Sequence, residues 1–195
     1  TPHIKGSLNL KGAQFDDLHL LKYRETIDPN SPTITFLSPS GTPGALFAEQ
    51  GFVPAVGSSA KLPASDTVWT SPQDAVLGEG KPVTLTWDND EYVFTISQTV
   101  ENETAAPVTL TPYARIVRQD TPAIAGYWVF FEGMLGVSGS SLSEVHYSDA
   151  IEATEPVKTE GTGGWLGFTD KYWAAVLIPD QSKLVVSSYD HDKLA

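Results

Sequence analysis

The sequence predicts an all-β fold of antiparallel strands around a wide two-sheet interior, with little helix. Three observations carry this. Apolar residues recur with period two in several short runs. Most of the fourteen Pro and sixteen Gly fall between those runs, at the spacing that all-β corners need. Five Trp and eight Phe supply large side chains for packing between sheets, and each Trp brings an N–H that needs a partner.

In chain order, Thr33–Leu37 reads as a strand, bounded by the turn clusters Asp28-Pro29-Asn30 and Ser38 to Gly44. Gly51 to Pro82 is rich in Pro, Ser, Ala and Gly and reads as a surface excursion with a short strand around Thr67 to Thr70. Val83, Leu85 and Trp87 alternate with Thr84 and Thr86. After the turn Asp88-Asn89-Asp90, the residues Tyr92, Phe94, Ile96 and Val100 alternate with Val93, Thr95, Ser97 and Thr99. Val108–Val117, Tyr127–Phe131, Tyr172–Ile178 and Leu184–Val186 follow the same rule, separated by Gly161–Gly164 and Pro179-Asp180. The best helical candidate, Asp149–Glu155, is stopped by Pro156 after two turns at most. There is no internal repeat.

At 195 residues one domain spanning 1–195 is the expectation, burying roughly 70% of the unfolded surface. The longest uncharged apolar stretch, Tyr172 to Pro179, is too short for a bilayer-crossing helix of about twenty residues. The start Thr-Pro-His carries no basic-then-apolar leader, and the chain reads as a piece of something longer. Twenty-four acids against twelve bases give a net charge of −12, which repels phosphate backbones and anionic headgroups. Nucleic acid is therefore not an expected partner; an acidic surface suits a soluble extracytoplasmic domain. The absence of Cys excludes disulfides, thiolate zinc sites and thiol nucleophiles.

Side chains that could carry chemistry are few. Asp16, Asp17 and His19 lie close together, but strand geometry puts only Asp17 and His19 on one face, below the three or four ligands of a zinc site. Asp88-Asn89-Asp90-Glu91 imitates the start of a calcium loop but lacks its later Gly and Glu, so it reads as a hairpin turn. Asp190-His191-Asp192 reads as a solvated tail, and Asn102-Glu103-Thr104 as a glycosylation acceptor only in a eukaryotic secretory setting. Glu132, after the aromatic run, is the best candidate for a buried acid, with Arg115 or Arg118 as its partner. Glu144 and His146 share a strand face among small polar residues, where water should reach them. Trp165 and Trp173 read as structural. No Gly-x-Ser-x-Gly elbow is present, and Gly161–Gly164 lacks the Lys-Ser/Thr of a phosphate loop. The sequence thus offers no catalytic, cofactor-binding or metal-binding residues, and no cofactor is expected.

Several ordered runs are familiar: Lys11-Gly12-Ala13 with Phe15-Asp16-Asp17-Leu18, Lys22 to Thr26, Leu37 to Gly41, Thr84 to Asn89, Gln98 to Asn102, and Gly163 to Trp173. Together they resemble the large first periplasmic domain of the YidC family of membrane protein insertases, in the style of its alphaproteobacterial branch. No single motif is diagnostic; the ordered set covers most of the chain. The resemblance implies a twisted two-sheet β-sandwich like that of galactose mutarotases, on the periplasmic side of the bacterial inner membrane. It further implies an accessory, non-catalytic role in inserting nascent inner-membrane proteins, alone or with the Sec translocon, including SecD–SecF. The insertion chemistry of that family lies in membrane segments outside this chain. A carbohydrate-binding or aldose-epimerase-like sandwich is the alternative. Such an epimerase needs a His acid and a Glu base, for which only His146 and Glu144 stand at strand spacing.

Two departures from the family pattern stand out. Asn89 runs almost at once into Tyr92, where the family has a longer stretch, through either a deletion or an omitted loop. The family's C-terminal helical portion has no counterpart before Ala195.

Overall fold

The computed structural model describes residues 2–58, 62–69, 76–77, 83–87, 92–102, 105–121, 131–170 and 172–191, with backbone alone at 76–77 and 83–87. The calcium-like run 88–91, residues 127–130 of the expected strand with Trp128, and Glu103-Thr104 lie outside these residues, as do Lys171 and Asp192. The chain divides into two compact units, Thr1–Gln119 and Asp120–Ala195. Both are built from antiparallel strands, so the all-β expectation holds.

In the first unit the strands are β1 (Ile4–Asn9), β2 (Gln14–Arg24), β3 (Thr33–Leu37), β4 (Leu46–Pro54), β5 (Val76–Leu77), β6 (Val83–Trp87), β7 (Phe94–Gln98) and β8 (Leu110–Arg118). One sheet has the order β1-β2-β4-β8, with β3 also on β2; the other is β5-β6-β7. Ile4, Leu20, Leu37, Leu46 and Phe47 are buried in the first sheet. Phe15 of β2 meets Phe94 of β7 edge-on, with ring centroids 5.6 Å apart, joining the two sheets through an aromatic contact. Along β1 and β2, Ser7 faces Asp17 while Leu8 faces Phe15, so Asp16 is an extra residue, a β-bulge.

The predicted excursion starts later than Gly51. Gly51–Pro54 continues β4, which pairs with β8 over its whole length, from Leu46↔Arg118 to Pro54↔Leu110. Gly51 takes part because Tyr113 lies against it across the pair, leaving no room for a larger residue without a shift. The short strand near Thr67 is realised as a single bridge, Val68 to Lys11.

In the second unit the elements are β9 (Gly133–Ser138), β10 (Ser141–His146), α1 (Tyr147–Glu152), β11 (Val157–Thr162), β12 (Gly164–Thr169), β13 (Ala174–Leu177) and β14 (Leu184–Tyr189). The sheets are β10-β9-β12-β13 and β11-β14. Met134, Val145, Ala150 and Tyr189 form the core, with Leu166 and Phe168 packed against it. The helix begins before the predicted Asp149, because Tyr147 and Ala150, three residues apart on one face, both bury. It ends at Glu152, with Ala153 already extended.

The predicted turn Gly161–Gly164 is also corrected. Gly161 and Gly164 lie in strands, and only Gly163 separates them. A Cβ at Gly161 would stand 2.6 Å from the Gly139 nitrogen, so this glycine allows close packing rather than a turn. The consequence is one long bent hairpin. Its outgoing arm is β11–Gly163–β12 and its returning arm β13–β14. Pairing runs from Thr169↔Ala174 to Leu166↔Leu177, and resumes from Thr162↔Leu184 to Val157↔Tyr189. Between those ladders the outgoing arm has three residues (163–165) and the returning arm six (178–183), and this excess makes the bend.

Candidate functional site

The bulge that expels Asp16 from the β1–β2 ladder leaves it buried, accepting a hydrogen bond from Asn9 Nδ2 at 2.8 Å. Asp17 and His19 point the other way and share a face, as strand periodicity requires. His19 Nε2 lies 3.2 Å from Asp17 Oδ1, and its Nδ1 lies 3.3 Å from Thr35 Oγ1. Ser7 Oγ donates to Asp17 Oδ2 at 2.6 Å. The result is a polar chain across three strands on a partly exposed face, with one carboxylate and one imidazole.

Glu49, which the sequence reading passed over, is the best-held acid of the first unit. It is buried on β4 directly opposite Arg115 of β8. Arg115 Nε donates to its Oε1 at 2.7 Å and Gln14 Nε2 to its Oε2 at 2.8 Å. Arg115 is therefore the partner of Glu49 and not of Glu132. The signal is present, since Glu49 shares a strand face with the buried Phe47, but it shows only once Leu46–Pro54 is read as a strand.

Glu132 is buried, as expected of an acid beside the aromatic run. Glu144 and His146 lie on the exposed side of β10, facing Leu135 and Gly133 of β9. The His146 ring packs 4.9 Å from Phe131. A carboxylate and an imidazole in water keep no proton apart from solvent, so this pair lacks the dry pocket that acid–base catalysis uses. Asp190 and His191 are exposed.

The tryptophans divide. Trp165 on β12 and Trp173 before β13 are half-buried. Trp165 stands in a cross-strand row with Val137 and Leu142, on the face opposite Met134 and Val145. Trp69 is half-buried as well, and its indole N–H has no hydrogen-bond partner among the described residues. A cluster that periodicity did not show joins His3, Tyr23 and Tyr92, with the Tyr92 centroid 6.0 Å from His3 and 6.3 Å from Tyr23. Tyr92 holds φ at +56°, and burial together with the Tyr23 hydroxyl pushes its phenol pKa up.

What the second unit offers most plainly is an apolar surface. Leu142, Tyr172, Val176, Ile178, Leu184 and Val186 are all exposed, most of them on β13, β14 and their flanks. Such a surface suits contact with another chain better than chemistry on a small molecule.

The family model described as YidC periplasmic domain matches residues 1–193. A protein of Beijerinckia indica subsp. indica named Membrane protein insertase YidC is 46% identical over 197 residues, covering 93% of this chain and 32% of its own. Proteins of the same name from Nitrobacter hamburgensis and Rhizobium meliloti are 45% and 44% identical, each over 93% of this chain and 32% and 33% of theirs. The chain thus spans about a third of the length of these relatives.

Proposed function

Because this chain belongs to the YidC periplasmic domain family, we propose that it is the periplasmic accessory domain of a membrane protein insertase. The domain is periplasmic. Its parent spans the inner membrane and inserts and folds nascent inner-membrane proteins, alone or with the Sec translocon and SecD–SecF. The domain contributes by binding other proteins and performs no catalysis. The two compact units act as one domain, a reading supported by a family match that runs through both.

The observation that carries this reading is the family match along nearly the whole chain. The side chains agree with it. The best-held acid, Glu49, is committed to Arg115 and Gln14, and Glu144 and His146 stand in water. Site-specific crosslinking from exposed positions of this domain in the intact insertase tests the partners. Adducts with Sec components and with membrane-protein clients are expected; a surface that yields neither would contradict the reading.

A further inference from the structure

We propose that the outer edge of the bent hairpin, along β13 and β14, is a strand-addition site for an extended segment of another protein, apolar at alternate residues and basic at its flanks. The backbone sets this edge. The Asp170 N–H donates to the Trp173 carbonyl at 2.8 Å, which fixes the alternation along the β12–β13 pair. Trp173, Ala175 and Leu177 turn their polar groups to β12, so Ala174 and Val176 turn theirs outward. In the other ladder the Gly163 N–H donates to the Lys183 carbonyl at 3.1 Å. By the same alternation Val185, Ser187 and Tyr189 bond to β11, and Leu184, Val186 and Ser188 point their N–H and C=O away. β13 ends its sheet and β14 ends the other, with no further strand among the described residues.

The side chains at these outward positions are apolar and open. Val176 is 41% exposed, Ile178 64%, Leu184 66% and Val186 63%. Soluble proteins ordinarily protect such edges with charges, Pro or bulges. Four other sheet ends follow that rule; β3, β7 and the two-residue β5 also lack charge and Pro, and of these β3 and β7 expose only Thr and Ser. β1 carries Lys5, β8 carries Pro112 and Arg115, β10 carries Glu144 and His146, and β11 carries Lys158 and Glu160. β13 and β14 contain no charged residue and no Pro. An edge left open on one arm of one hairpin is what an added strand needs, with main-chain bonds for affinity and alternate side chains for selection.

Charge selects the occupant. In sequence, Asp170, Asp180, Asp190 and Asp192 flank this edge and its corner, against Lys171, Lys183 and Lys193. The unit as a whole has eleven acids and four bases from Asp120 to Ala195. A second copy would bring like charge to like charge, whereas basic flanks on the incoming segment meet these carboxylates favourably. This site stands on the strand edges and not on the insertase reading, so failure of peptide binding would leave that reading intact.

The test uses a labelled peptide of alternating Val and Thr with paired Lys at both ends, titrated into the chain by fluorescence anisotropy. Binding should slow amide hydrogen exchange at Val176 and Val186 and leave Ala175 unchanged. Val176→Lys and Val186→Lys, both at exposed positions, should each weaken binding by about tenfold or more. The same peptide with Glu in place of Lys should bind less well. Unchanged exchange at Val176 and Val186, or binding by both Lys variants as tight as by the unsubstituted chain, would overturn the proposal. Equal affinity for the Glu-flanked peptide would overturn the choice of a basic partner. A dimer in sedimentation equilibrium that Val176→Lys abolishes would assign the edge to a second copy instead.

Discussion

The side-chain amide of Gln181 takes the place of a strand residue opposite Gly164. Its Nε2 donates to the Gly164 carbonyl at 2.9 Å, and its Oε1 accepts from the Gly164 N–H at 3.0 Å. The same Nε2 reaches the Pro179 carbonyl at 2.8 Å. This reciprocal pair closes the gap where the hairpin bends and the backbone ladder is interrupted. It allows one hairpin to serve two sheets, and so gives the molecule the long edge of β13 and β14.

Gln181→Leu should therefore loosen the bend. Three exposed hydrogen bonds to backbone are lost, and a cost of about 1–2 kcal/mol is expected from urea midpoints. Gly164→Ala should cost more, about 3–5 kcal/mol. The residue has φ at +98°, and a Cβ there would stand 1.9 Å from the Val137 carbonyl oxygen. Equal stability of the two variants would show that the backbone at Gly164 is not fixed as described.

Breaking the Glu49–Arg115 pair should be asymmetric. Arg115 is half-exposed and Glu49 is buried. Arg115→Ala leaves the carboxylate with Gln14 and partial access to water, so about 1–2 kcal/mol is expected rather than the larger cost of a fully buried broken pair. A double-mutant cycle with Glu49→Gln measures the coupling, and a value near zero would remove the pair from the account.

Much of the fold was legible in the sequence, for identifiable reasons. Thr33–Leu37 and Val83–Trp87 end where predicted, because period two and turn residues agree at both ends. β4 is not legible as a strand at all: Leu46–Gln50 shows no marked alternation, and from Gly51 on the Gly and Pro read as loop signals. Gly51 is instead the position where Tyr113 presses on the neighbouring strand, a tertiary contact that local pattern does not contain. β14 runs on from Val186 to Tyr189, where Ser187 and Ser188 weaken the apolar alternation yet the ladder to β11 continues. The split of Asp16 from Asp17 and His19 was readable from alternation alone. The Glu49–Arg115 pair was not, since it joins residues 66 apart through strand register.

Besides Tyr92, two described groups have shifted pKa values and give opposite, testable responses to pH. Burial raises the pKa of Tyr189 above its ordinary 10.0. Its contribution is therefore complete below about pH 10 and lost as pH rises through the folded value, because the unfolded phenol ionises first. Asp180 behaves oppositely. Hydrogen bonds from the Ser182 side chain and backbone lower it below 3.8, so its contribution is present above that pH and lost as pH falls. Tyr189→Phe should flatten the alkaline limb of a stability–pH curve, and Asp180→Asn the acid limb. An unchanged limb in either variant would refute the corresponding assignment.

Trp165→Ala and Trp173→Ala should each cost about 1.5–3 kcal/mol, less than a fully buried Trp, because both are half-buried. Chemical denaturation decides this. Unchanged stability with lost partner crosslinking would move either residue from packing to recognition.

In the proposed function this domain works by contact and not by chemistry. That reading is tested most directly by growth of insertase-depleted cells carrying the full-length parent with Glu132→Gln, Glu144→Gln and His146→Ala, singly and together. Growth at the wild-type rate is the predicted result. Failure of a stably folded variant to support growth would contradict the account and assign a chemical or ligand-binding role to that position.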